Sequence, residues 1–186
     1  MKKRWLCVCL LLAVVLNLGI PVSADEFDGL RQEMRGSFEE ESMLDISSYE
    51  LTLPEVQDIY DGLYHSGQLP WYASADCDYV FGQDQIIVKF RPKELNPKVY
   101  DRDLYEQKMA ELIAETCLPD MEPWEKALSV YNHIALHTVY DEEMDKNTGY
   151  DSLVNGSTVC YGYSMLFMDV MNRLQIPCQI VVCYDT

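Results

Sequence analysis

The spacing of apolar residues divides this chain into alternating helical and extended stretches. Val56, Ile59, Tyr60 and Leu63 recur at three and four, predicting a helix over Pro54 to Ser66, with proline in its first turn and Gly67 as its stop. Cys77 to Phe81 and Gln85 to Phe90 flank Gly82-Gln83-Asp84 and read as a hairpin. Arg91-Pro92 and Asn96-Pro97 are expected to break the chain. Tyr100 to Cys117 has a helical pattern, with Leu104, Met109, Leu112, Ile113 and Thr116 on one side. A further helix is expected from Pro123 to Thr138. Its wide stripe of Trp124, Ala127, Leu128, Tyr131, Ile134 and Ala135 needs a core to face. From Cys160 to Leu174 apolar residues go nearly all the way round, which predicts a buried helix ended by Ile176-Pro177. Cys178 to Tyr184 is rich in β-branched residues and reads as a strand. Helices and strands of this kind make the chain α+β.

Polar stretches separate these elements. Asp25 to Ser48 is acidic and rich in Ser and Glu; with so few apolar positions it reads as a mobile leader or a weak helix. Tyr140 to Asn155 reads as a polar connection. Its acids lack the order of a calcium loop, so a solvated loop is expected. Asn155-Gly156 is a turn signal, preferred over the overlapping glycosylation sequon.

The first 24 residues read as an export signal: Lys2, Lys3 and Arg4, then the apolar run Trp5 to Ile20, then the small residues of Val22-Ser23-Ala24. Cys7 and Cys9 read as apolar filler within it. Removing Lys2, Lys3 and Arg4 moves the formal charge of the 186-residue chain from −17 to −20. So acidic a protein is a poor partner for nucleic acid, and membrane contact is expected only through an uncleaved signal segment. The organisation is then a signal peptide over 1–24, an acidic flexible leader over 25–50, a small α/β region with a hairpin over 51–100, and a last domain over 101–186. Secretion or cell-envelope association follows from the signal.

Five cysteines remain outside the signal: Cys77, Cys117, Cys160, Cys178 and Cys183. An odd number leaves at least one free thiol in an oxidising compartment. The cysteines and histidines are not spaced as a structural zinc site, and His133 and His137 lack the acid of an HExxH pair, so no metal or cofactor is expected. His65 falls in a last helical turn, where its charge favours the helix end.

Cys160 carries the candidate chemistry. A buried cysteine is ordinarily a small apolar residue. This one opens a helix, where unpaired N–H groups and the helix dipole favour the thiolate, the nucleophilic form. Gly156 and Thr158 tighten the entry, and Gly162 permits close approach of another backbone. Catalysis also needs a base within hydrogen-bond reach and a group to orient it.

The segment from Trp124 to Tyr184 resembles the secreted bacterial members of the transglutaminase-like superfamily. Glu125 to Ile134 is similar to the family's helix before the active cysteine, and Tyr140-Asp141 to its end. Gly149-Tyr150-Asp151-Ser152-Leu153-Val154-Asn155-Gly156-Ser157-Thr158-Val159-Cys160-Tyr161-Gly162-Tyr163 resembles the signature aLv.G.avC.GyA, with Ser164 where alanine is commoner. Arg173 to Val181 resembles the strand entry that follows. The resemblance implies a papain-like core in which the cysteine helix packs on an antiparallel sheet. This chain is expected to hold the N-terminal part of that core, with the sheet incomplete. It also implies a thiol acyl-transferase or peptidase that attacks protein or peptide amides, some of them cell-wall associated. Cys160 maps to the family nucleophile, while the family's histidine and aspartate are expected beyond Thr186. The alternative is an inactive transglutaminase-like binding module of the cell envelope. A weaker option makes His133 or His137 the base.

Overall fold

A computed structural model describes residues 27–39 and 42–181. The signal segment and Cys183 lie outside the described residues. The first helix among the described residues, α1 (Asp28–Gly36), falls where a mobile leader or a weak helix was expected. Leu30 and Met34 are four apart, hence on one face, and both are fully buried. They share a core with Ile46, Val56, Leu63 and Phe90, so two well-spaced apolar residues tie this acidic segment to the residues after position 50.

The rest of that core comes from four elements. β1 (Leu44–Asp45) is short. α2 (Leu53–His65) begins with Pro54 in its first turn and a capping box between Thr52 and Glu55. Glu55 accepts the Thr52 N–H at 2.9 Å. The chain leaves α2 through Gly67, whose φ of +66° is the left-handed conformation expected of a helix stop. β2 (Ala73–Phe81) and β3 (Ile87–Glu94) then form the expected hairpin. The sheet is antiparallel in the order β1-β3-β2, with Leu44 and Tyr79 both opposite Phe90.

Arg91-Pro92 does not break the chain, contrary to expectation. β3 runs on to Glu94, with Pro92 opposite Cys77. β1 reaches only as far as Phe90, and the β2 register shifts between Ala73 and Cys77. Proline is tolerated where the ladder is open or irregular in this way.

Three helices build a second core. α3 (Arg102–Thr116) is capped by Asp101, whose carboxylate accepts the Leu104 N–H at 3.0 Å. Its buried face includes Tyr105, which the sequence pattern missed, alongside Met109, Leu112 and Thr116. α4 (Pro123–His137) opens on a capping box between Glu122 and Glu125. Its expected apolar stripe is divided: Ile134 is buried, with Val130 from outside the stripe, while Trp124, Leu128 and Tyr131 are exposed. β4 (Val139–Tyr140) pairs in parallel with β5 (Ser157–Thr158), on either side of a π-helical turn at Asp151–Asn155.

α5 (Cys160–Arg173) follows β5 directly. Gly162, Leu166, Met168, Val170 and Met171 are buried, but Cys160 and Ser164 are exposed. The helix expected to be buried all round is buried on one side only. After α5 the chain makes no strand over residues 178–181, where one was expected, and the remainder of that stretch lies outside the described residues. The Ile180 N–H bonds the His65 carbonyl of α2 at 2.8 Å instead of a strand partner. The architecture is therefore mixed α and β. No helix among the described residues is long and apolar enough to cross a membrane.

Candidate functional site

Local bonds fix the entry to α5 before the thiol is reached. Gly156 takes φ +65°, which glycine adopts without strain, and its carbonyl accepts the Val139 N–H at 2.9 Å. Thr158 is fully buried. Its hydroxyl donates to the Lys146 carbonyl at 2.9 Å, and its own carbonyl accepts the Asp141 N–H at 3.0 Å. Val159 is extended (φ −86°, ψ 177°) and donates its N–H to the same Lys146 carbonyl at 2.9 Å. Cys160 is then the first residue of the helix.

The expected solvated loop is in fact organised by two of its acids. Asp141 and Asp151 are buried, at 7% and 5% exposure. The Asp141 carboxylate accepts the N–H groups of Asp145 and Lys146 at 3.0 and 3.1 Å. Burial acts to raise its pKa, but these backbone bonds, together with the Asp145 side chain and the Lys146 charge, outweigh it and hold the carboxyl below its usual value. Asp151 accepts from the Thr148 N–H and hydroxyl and from the Asn155 side chain, at 3.1, 2.6 and 2.8 Å. The sequence holds a signal for the second of these, a Thr-x-x-Asp spacing over Thr148 to Asp151. It holds none for Asp141, whose partners are set by how the loop folds back.

Further bonds hold the first turns of α5. The Tyr163 hydroxyl donates to the Thr138 carbonyl at the end of α4, at 2.8 Å. Ser164 donates its hydroxyl hydrogen to the Cys160 carbonyl at 3.0 Å. The expected close approach at Gly162 is present: a Cβ there would lie 2.6 Å from the Thr148 carbonyl oxygen. Side chains cap α2, α3 and α4, but none caps α5. Its first N–H groups are thus not taken up by a side-chain cap.

Cys160 is exposed and opens into a groove of about 700 Å³. Tyr131 and Ile134 of α4, Tyr140, Phe167 and the 178–181 segment form much of its wall. No charged side chain among the described residues lines it, although the chain carries 31 acids and 14 bases. The other described cysteines sit differently. Burial pushes the Cys77 thiol up to about 11 and raises that of Cys178, which also lines the groove.

None of the three histidines lines this groove. His133 and His137 stack on each other at 4.1 Å, with a ring nitrogen of His137 on the His133 carbonyl at 2.8 Å. Burial, and then the neighbouring His137, lower the pKa of His133. His65, in the last turn of α2, packs instead against Tyr64 and Tyr161. Among the described residues no group of three or more His, Cys, Asp or Glu side chains is placed to hold a metal ion.

No family model matches the chain, and no curated protein matches it.

Proposed function

We propose that Cys160 is the nucleophile of a transglutaminase-like thiol acyl-transferase or peptidase acting on protein or peptide amides. The observation that carries this reading is the exposed thiol at the uncapped start of α5, opening into an uncharged groove. A thiolate there attacks the amide carbon. A C–S bond forms, the C–N bond breaks, and ammonia or an amine leaves with the proton given up by the thiol. Water or a lysine amine then takes the acyl group from sulfur, releasing the thiol. The N–H groups of the first turn are suited to stabilise the oxyanion in both steps. In this reading α5 is the cysteine helix of a papain-like core. The family's histidine and aspartate are assigned to no residue described here. The substrate is an exported protein or a peptide of the cell envelope, reached through the signal segment.

The test uses the full chain with peptide carboxamides and a fluorescent primary amine, scoring ammonia release, amine incorporation and peptide cleavage, with Cys160→Ala as the comparison. Loss of every product in the variant supports the reading. Products formed equally by both proteins exclude Cys160 as nucleophile. Peptide binding by both with product from neither identifies the binding module instead. Iodoacetamide labelling across pH adds an independent measure: an activated thiol reacts with a midpoint below the free value of about 8.5.

A further inference from the structure

The residue after Cys160 does not line the groove. The Tyr161 ring stacks on Tyr64, in the last turn of α2, at 6.3 Å between centroids. It also meets His65 edge-on at 6.0 Å. Tyr64 in turn stacks on Tyr60 at 6.4 Å, and Tyr60 is 1% exposed in the first core, its hydroxyl donating to the Ser74 carbonyl at 2.8 Å. A run of rings therefore leads from the first core to the peptide unit that carries the thiol.

The same turn of α2 holds a second wall. The His65 carbonyl accepts the Ile180 N–H at 2.8 Å, and Ile180 lines the groove with Cys160. Residues 176–181 adopt no regular element, so this bond substitutes for the ladder a strand would provide. A further tie lies just beyond, where the Asn172 side chain donates to the Gly67 carbonyl at 3.2 Å. Two stretches that flank the thiol, Tyr161 and Ile180, thus meet on one turn of a helix from the other core.

We propose that the end of α2 is a positioning element for Cys160: Tyr64 and His65 grip Tyr161 on one side and Ile180 on the other, and so set the width of the groove at the thiol. This rests on the proposed reading only so far as it makes Cys160 a thiol that outside molecules must reach, because width matters only then. The N-terminal core then takes part in the site without touching the reacting atoms. Displacements of about 1 Å at such supports cost catalysts as much as a hundredfold in rate.

The experiment compares two thiol reagents on the full chain, iodoacetamide as the small one and pyrenylmaleimide as the bulky one. Rates at Cys160 are read by mass spectrometry. Tyr161→Ala removes the ring contact, and Ile180→Pro removes the N–H that His65 receives. Each is expected to raise the bulky-to-small rate ratio, on the order of tenfold. Tyr161→Phe keeps the ring and is expected to hold the wild-type ratio. Leu136→Ser, on the exposed side of α4, should leave it unchanged. An unchanged ratio in both Tyr161→Ala and Ile180→Pro overturns the proposal. So does a rise accompanied by equally faster labelling of Cys77 and Cys117, which marks general loosening. A ratio that responds while the protein forms no product from any peptide amide overturns the acyl-transfer reading and leaves the positioning role standing. Acyl transfer with an unresponsive ratio does the reverse.

Discussion

Gly162 lies so close to Thr158 that a Cβ added to it would fall 2.0 Å from the threonine hydroxyl oxygen. The Thr148 carbonyl oxygen, at 2.6 Å, closes the same space from backbone that cannot swing aside. Gly162→Ala is therefore expected to destabilise the protein by about 1–3 kcal/mol, the usual cost of overpacking. Adding Thr158→Ala should not rescue it, since the carbonyl remains. Urea unfolding of the single and double variants checks both statements. A Gly162→Ala protein as stable as the parent would show that the entry to α5 is looser than these distances require.

Tyr105 and Asp169 join α3 to α5. The tyrosine is 1% exposed and donates its hydroxyl hydrogen to the carboxylate at 2.9 Å. Arg173 holds the same carboxylate at 3.0 Å and bonds Glu106 through two nitrogens at 2.6 and 2.8 Å. Trp71 stacks on Tyr105 at 3.9 Å and donates to Glu106, which brings the segment after α2 into the cluster. Tyr105→Phe keeps the ring and removes one bond to a charged group, for an expected loss of about 1.5 kcal/mol. A double-mutant cycle with Asp169→Asn should recover most of that figure as coupling. Additive losses would show that the bond contributes little.

The described cysteines should label in a fixed order. Cys160 is exposed, whereas Cys77, Cys117 and Cys178 are partly buried. With limiting iodoacetamide near pH 8, Cys160 is expected to be modified first and Cys77 to be protected. Burial keeps the Cys77 thiol protonated in the folded state up to about 11, whereas the unfolded chain releases that proton near 8.5. Between those values the folded state binds more protons, so stability falls as pH rises. Cys77→Ser should flatten the decline between pH 9 and 11. A variant with the parent's slope would assign the decline to other groups.

Asp141 predicts the opposite sign in acid. Its backbone bonds keep the folded carboxyl below the ordinary value of about 3.9, so its support is complete above that value and is lost as pH falls through the folded one. Hydrogen exchange should show the Asp145 and Lys146 amides protected at neutral pH and exposed in acid before the helices unfold. Asp141→Ala should expose both amides at neutral pH as well. Continued protection in that variant would mean that the loop holds itself without the carboxylate.

The elements that could be foreseen are those whose signals are local. Pro54 with the three-and-four spacing after it marks α2, and turn residues between extended runs mark the β2–β3 hairpin. The polar turn before Cys160 marks the start of α5. Each depends on neighbours within a few positions, where periodicity and capping act. The position of the candidate nucleophile was legible for the same reason. What could not be read is the set of partners. Two apolar residues were enough to anchor α1, because Leu30 and Met34 reach a core built by later residues. Pro92 stays in a strand because β1 is short. Asp141 is buried because its loop folds back on it.

The sequence by itself determined where α2 to α5 and the β2–β3 hairpin form and which thiol begins a helix. Tertiary structure alone decided that this thiol faces an uncharged groove, that neither His133 nor His137 joins it there, and that α2 holds both Tyr161 and Ile180. The contact between Gly67 and Asn172 spans 105 positions. No periodicity carries over such a distance, so pairings of this kind follow only from which surfaces the cores leave facing each other once both have formed.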